Sequence, residues 1–183
     1  MAEAAIFMTT GTEEVEALMV VDLLRRAGID IDMVSIDDSK VMKGSHGIAV
    51  ELDKSFPEVC FDELKMIILP GGMPGTNNLM ACKELTDRVK EFAEEGKMLA
   101  AICAAPSILG KNGVLKGHSA TCYPGYEDTL LGAEYKKIPV VKDGDIITGR
   151  GLGTVIEFAA AIIEKLRDRE TADNILDKII YNS

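Results

Sequence analysis

The run Lys65–Leu69 (Lys-Met-Ile-Ile-Leu) is a continuous apolar stretch that ends at Pro70-Gly71-Gly72. A strand with no polar alternation has no face to offer water, so it belongs in a sheet covered on both sides, which is the habit of parallel sheets. Ala4–Met8 and Met98–Ile102 read the same way, and Ile29–Ile36 adds an alternating strand. Helical stretches lie between them. A Thr10-to-Glu13 capping signal opens a first helix that runs to about Ala27 and stops at Gly28. Further helices are predicted around Asn77–Ala81, Glu84–Glu95, Ala104–Lys111, Val155–Leu166 and Asp173–Ile180. Val41-Met42 with Ile48–Leu52 reads as a small hairpin, and Ser119–Cys122 as one more strand. Ile138–Val141 and Ile146–Thr148 flank the turn at Lys142–Asp145. This alternation predicts an α/β sandwich with a mainly parallel sheet and helices on both faces. Ligands gather at the carboxyl ends of such strands. The turns Thr9–Thr12, Pro70–Gly75 and Cys103–Pro106 would meet there.

A chain of 183 residues, 47% apolar and 27% charged, suits one domain spanning 1–183. Its net charge of -10 argues against a nucleic-acid partner, which requires a Lys/Arg surface. No stretch approaches the roughly 20 apolar residues of a membrane helix. The N-terminus has no basic start followed by an apolar core, so a cytoplasmic protein is expected. Cys60, Cys82, Cys103 and Cys122 form no C-x-x-C pair and no His-Cys cluster with zinc spacing, so no metal is expected. Gly149–Thr154 lacks the order of a phosphate loop, and no cofactor is implied.

Two residues stand out for chemistry. Cys103 falls between a strand and a helix start, with small Ala104 and Ala105 behind it and Pro106 beyond. A thiol there meets the positive end of a helix, which lowers its pKa. The competing reading is a small buried packing residue. Glu16 heads the stripe Met19, Val20, Leu23, Leu24 and Ala27, so its carboxylate points inward. It is either a partner for the thiol with a raised pKa or an edge residue reaching water. Glu13 and Glu14 suit the first turn without a further role, and Arg25-Arg26 the last. His46 reads as an exposed hairpin tip and His118 as a surface residue.

Taken together, Gly11–Glu16 (Gly-Thr-Glu-Glu-Val-Glu), Leu69–Gly72, Ala100–Pro106 (Ala-Ala-Ile-Cys-Ala-Ala-Pro) and Gly149–Thr154 resemble the DJ-1/ThiJ/PfpI superfamily, above all its DJ-1 branch. The ending Ile179–Asn182 is similar to members without an extra C-terminal helix. The resemblance implies a flavodoxin-like fold of the class I glutamine amidotransferase type and a homodimer. It implies a reactive Cys103 bonded by a protonated Glu16, with an oxyanion pocket at the amides of Gly72 and Ala104. Arg25 or Arg26, and His46, would lie on the dimer side of the pocket. The branch commonly carries a His where this chain has Tyr123, and a phenol of pKa about 10 is a poor proton shuttle at neutral pH. The leading expectation is therefore a stress-response protein whose Cys103 meets small oxidants. A cofactor-independent glyoxalase or deglycase acting on reactive carbonyls, and a chaperone-like dimer, are the alternatives; protease activity is not expected. Cys122 would be a second thiol near the pocket.

Overall fold

The computed structural model describes residues 2–181; Asn182, the end of the C-terminal motif, lies outside them. The chain runs β1 (Ala4–Met8), α1 (Glu14–Arg26), β2 (Ile31–Ser35), β3 (Val41–Lys43), β4 (Ala49–Glu51), β5 (Lys54–Ser55), β6 (Met66–Leu69), α2 (Gly75–Ala81) and α3 (Lys83–Glu94). It continues through β7 (Met98–Ile102), α4 (Pro106–Lys111), β8 (Ser119–Ala120), β9 (Glu134–Tyr135), β10 (Val140–Asp143), β11 (Ile146–Gly149), α5 (Val155–Leu166) and α6 (Arg169–Lys178). Seven strands form the central sheet in the order β10-β11-β7-β6-β1-β2-β5. Every neighbouring pair is parallel except β10 with β11.

Successive residues of the inner strands serve opposite faces. Ala4, Ile6 and Met8 pack with Val20, Leu23, Phe158 and Ile162 of α1 and α5. Ala5 and Phe7 pack with Leu79, Val89, Phe92 and Ile108 of α2, α3 and α4. Met66–Leu69 is buried throughout, as its unbroken apolar run requires. The fold is a flavodoxin-like α/β sandwich. Among the described residues, no helix is long and apolar enough to cross a membrane.

Four local expectations are corrected. The first helix begins at Glu14 and not from a Thr10 cap: Glu13 is the N-cap, accepting the Glu16 amide at 2.6 Å. The predicted strand at Ser119–Cys122 shrinks to two residues outside the main sheet, because β11 already occupies the edge of β7. Thr121 then donates its amide to the Thr148 side chain at 2.9 Å instead of to a neighbouring strand. The terminal helix begins at Arg169, four residues before the predicted start, because Asp168 caps it through the Thr171 amide. The helix after Cys103, α4, starts at Pro106 and not at Ala104, leaving Ala104 and Ala105 in the turn.

Candidate active site

Three strand ends converge above β1, β6 and β7. A methyl on Gly11 would strike Pro74 at 2.5 Å, one on Gly72 would strike the Glu13 amide nitrogen at 2.2 Å, and one on Gly71 would strike Cys103 Cβ at 2.6 Å. The turns that the sequence places at strand ends therefore touch each other. Gly72 also sits at φ +95°, in the left-handed region that a side chain disfavours.

Cys103 occupies that region without being glycine, at φ +63°. Its backbone is fixed from both sides: its amide donates to the Gly149 carbonyl at 3.0 Å, and its carbonyl accepts the Tyr123 amide at 2.8 Å. A non-glycine residue held this way carries backbone strain of the kind that collects at functional turns. The side chain is half-buried against the α1/α5 side of the core.

Glu16 reaches the same point from α1. It is buried, 1% exposed, and accepts the Gly71 amide at 3.0 Å through Oε2. Cys103 Sγ and Glu16 Oε2 crowd the same face of Gly71, 3.0 and 2.6 Å from where a Cβ there would sit, so the thiol and carboxylate, with the amides of Gly72 and Ala104, act on one another's ionisation. Burial pushes Glu16 up to about 7 against the hydrogen bond from Cys103; the charge of Glu13 adds to the rise and the Gly71 amide opposes it. Burial likewise pushes the Cys103 thiol up to about 12, reinforced by the charge of Glu16 and the bond to it, while the Ala104 and Gly72 amides pull it down. The expected lowering by a helix terminus is thus overturned. The helix is only six residues long, and desolvation beside a buried carboxylate outweighs it. The two groups titrate as a pair, and the ionised pair keeps one proton between sulfur and carboxylate.

Glu14 has a role that the sequence did not reveal. It is buried, 1% exposed, and its carboxylate accepts the amides of His46 at 2.8 Å and Ile48 at 3.3 Å and the Ser45 hydroxyl at 3.3 Å. Burial would raise it, but its own amide, the amide and side chain of His46, and the Ile48 amide outweigh that and bring it down to about 2. His46 Nδ1 lies 3.2 Å from Glu14 and 3.6 Å from Glu13. Among the described residues these three form the one group whose possible metal-ligating atoms lie within 4.8 Å of each other. In the structure they dock the loop between β3 and β4 onto the start of α1. The exposed hairpin tip of the sequence reading is therefore also an anchor.

Tyr123 lies beside the site but does not complete it. Its ring lies against Gly151, where an added methyl would meet it at 3.2 Å, and the residue is 50% exposed. Among the described residues its hydroxyl bonds neither Cys103 nor Glu16. Cys122 is fully buried on the α3/α4 side of the core, and burial pushes it up to about 11, so it is not a second open thiol. Arg25 pairs with Asp53 at 2.7 Å and Arg26 with Asp22 at 2.6 Å, at the far end of α1. His118 lies 3.6 Å from Asp143, away from the site.

A parallel sandwich with a strained cysteine turn at its carboxyl edge and a buried glutamate beside it defines a flavodoxin-like protein with a cysteine at a strand-to-helix elbow. The profile of the DJ-1/PfpI family matches residues 2–165, and the chain belongs to this family as a member of its DJ-1 branch. It is 35% identical to Protein dj-1beta of Drosophila melanogaster, with 98% of each chain covered. It is 30% identical to the glutathione-independent glyoxalase DJR-1.2 of Caenorhabditis elegans, covering 90% of this chain and 88% of that one. The solved structure of oxidized Toxoplasma gondii DJ-1 superposes with a TM-score of 0.94 at 32% identity, covering all of both chains.

Proposed function

We propose that this protein is a DJ-1-type stress-response protein in which Cys103 is the oxidation-sensitive thiol and Glu16 its proton-holding partner. The observation that carries the reading is the strained Cys103 turn with its sulfur between Glu16 and the amides of Gly72 and Ala104. In the reacting form Glu16 holds the proton and Cys103 is the thiolate. The thiolate attacks one oxygen of hydrogen peroxide, the O–O bond breaks, and water leaves once the second oxygen is protonated. A second peroxide takes the sulfenate to the sulfinate by the same balance. The two amides and the Glu16 hydroxyl then donate to sulfinate oxygens, stabilising that stage. Limited peroxide treatment followed by peptide mass spectrometry tests this: sulfinate collects at Cys103 before exposed Cys60 is modified. Equal oxidation of all four cysteines would defeat it.

A second reading, glyoxalase or deglycase chemistry, gains support from the relative named a glyoxalase. Cys103 sulfur would add to the aldehyde carbon of a 2-oxoaldehyde, with the new oxyanion facing the Gly72 and Ala104 amides. Glu16 would carry the proton from the former aldehyde carbon to its neighbour, and water would release the 2-hydroxy acid from the thioester. With Tyr123 unbonded to the thiol, all proton transfer falls on Glu16. Methylglyoxal consumption that is equal in wild type and Cys103→Ala removes this reading. The homodimer implied by the resemblance is retained: Val15 and Leu18 leave apolar surface on the outer face of α1. Sedimentation equilibrium with a constant monomer mass would count against it.

A further inference from the structure

We infer that Thr148 is a positioning residue for Cys103: its buried hydroxyl holds the segment that grips the Cys103 carbonyl, and so keeps the strained turn in its reacting geometry. This rests on reading Cys103 as the reactive thiol, and it adds to that site a residue from a different strand that never touches the sulfur.

The inference starts from the backbone of Cys103. A non-glycine residue at φ +63° relaxes unless its surroundings hold it there. Two hydrogen bonds do so from opposite sides. The Gly149 carbonyl accepts the Cys103 amide at 3.0 Å, and the Tyr123 amide donates to the Cys103 carbonyl at 2.8 Å. The first grip comes from a fixed support, because Gly149 ends β11, which pairs with β7 on one side and β10 on the other. The second comes from Tyr123, which lies beyond β8 and belongs to no strand. A bond from such a segment is only as firm as whatever anchors the segment.

Thr148 supplies that anchor. The Thr121 amide donates to Thr148 Oγ1 at 2.9 Å, and both residues are buried. Sheet pairing fixes the Thr148 backbone opposite Val141 and Ala101, and a β-branched side chain has few rotamers, so the oxygen stands in one place. Elsewhere in the segment the Thr121 hydroxyl donates to the Ile138 carbonyl at 3.0 Å and Cys122 is packed in the core, but among the described residues the Thr121 amide has Thr148 Oγ1 as its one partner. Residues 148 and 149 of β11 therefore set both sides of Cys103: Gly149 takes its amide directly, and Thr148 fixes its carbonyl through residues 121–123. Without the Thr148 hydroxyl a buried amide is left unpaired and the segment shifts to satisfy it. The Tyr123 amide moves with it, the turn relaxes, and Cys103 Sγ leaves the face of Gly71 that it shares with Glu16 Oε2.

Thr148→Val keeps the shape and removes the acceptor, whereas Thr148→Ser keeps the acceptor. Each intact protein is treated with limiting hydrogen peroxide, and oxidation of Cys103 and of exposed Cys60 is timed by peptide mass spectrometry. The Cys103 rate is expected to fall about fivefold in Thr148→Val, the worth of one net hydrogen bond, and to stay within about twofold of wild type in Thr148→Ser, with Cys60 unchanged in both. Glu16→Gln adds a readout that a general loss of stability would not move. Its effect on the Cys103 rate should shrink to about half or less in the Thr148→Val background, because the sulfur no longer faces residue 16. If Thr148→Val does not fold, hydrogen exchange in the wild type decides: the Thr121 and Tyr123 amides should open together, with protection within about threefold of each other. A Thr148→Val protein as fast as wild type, a Thr148→Ser protein as slow as Thr148→Val, an undiminished Glu16→Gln effect, or a protected Thr121 amide beside an unprotected Tyr123 amide would each overturn the positioning role while leaving the reactive thiol intact. Oxidation of Cys60 as fast as Cys103 in the wild type would instead remove the reactive-thiol reading and the positioning role with it.

Discussion

Adding one methyl group at Gly71 strikes the center of the site. A Cβ there lies 2.6 Å from Cys103 Cβ, 2.6 Å from Glu16 Oε2 and 3.0 Å from Cys103 Sγ. Ordinary contact begins at 3.4 Å, so the closest atoms must recede by about 0.8 Å. Neither can do so easily. Cys103 is held by the Gly149 carbonyl and the Tyr123 amide, and Glu16 is buried and tied to the Gly71 amide itself. Gly71→Ala should therefore destabilise the fold by about 1–3 kcal/mol, the usual range for overpacking, and separate the thiol from the carboxylate. Urea unfolding gives the first effect. Sulfinate yield at Cys103 after mild peroxide gives the second, and it should fall below about half of wild type as the Glu16 bond is lost. Gly153→Ala is the matched control, because an added methyl there meets nothing within 4 Å and should change stability by less than about 0.5 kcal/mol. A Gly71→Ala protein with the wild-type urea midpoint and full sulfinate yield would refute the tight triangle of Gly71, Cys103 and Glu16.

Glu16 is raised from 4.5 to about 7, so its contribution to stability is complete below about pH 4.5 and is lost as pH rises to about 7. Glu16→Gln should match wild type near pH 4 and exceed it by up to about 3 kcal/mol at pH 8 in urea unfolding; equal curves at pH 8 would contradict this. Glu3 behaves oppositely. The Arg167 hydrogen bond lowers it to about 2, with Lys65 assisting, so its contribution is full above about pH 4.5 and is lost as pH falls towards 2. Glu3→Gln should lose about 1–2 kcal/mol at pH 7, allowing for partial exposure, with the difference closing near pH 2; a gap independent of pH would exclude the ion pair as its cause. Glu14→Ala removes the acceptor for the loop at residues 45–48 and should cost about 2–4 kcal/mol, with faster tryptic cleavage at Lys43; unchanged cleavage would show that the loop docks without it.

Much of the architecture is local chemistry and is readable from residue order. Met66–Leu69 has no polar face, so it forms an inner strand. Gly28 and Gly96 stop their helices with positive φ. The Cys103 turn follows from an apolar strand meeting Pro106 three residues later, and Glu16 is placed inward by the 3.6-residue period of α1. Ser119–Cys122 has strand character as well. Whether it joins the sheet depends on whether β11 fills the neighbouring edge, which residue order within the segment does not decide.

The sequence by itself determined the strands, the turns that end them, the inward glutamate and the cysteine elbow, because each follows from steric and periodic preferences within a few residues. The tertiary structure alone decided how these groups behave together. Gly71 and Glu16 are 55 positions apart, yet the gap between them is one hydrogen bond wide. Glu14 looked like a first-turn acid and proved to be a buried anchor, because the loop after β3 folds back onto it from more than thirty residues away. The thiol looked activated by a helix terminus and proved to be raised, because desolvation and the charge of Glu16 act through space on every group that burial brings together.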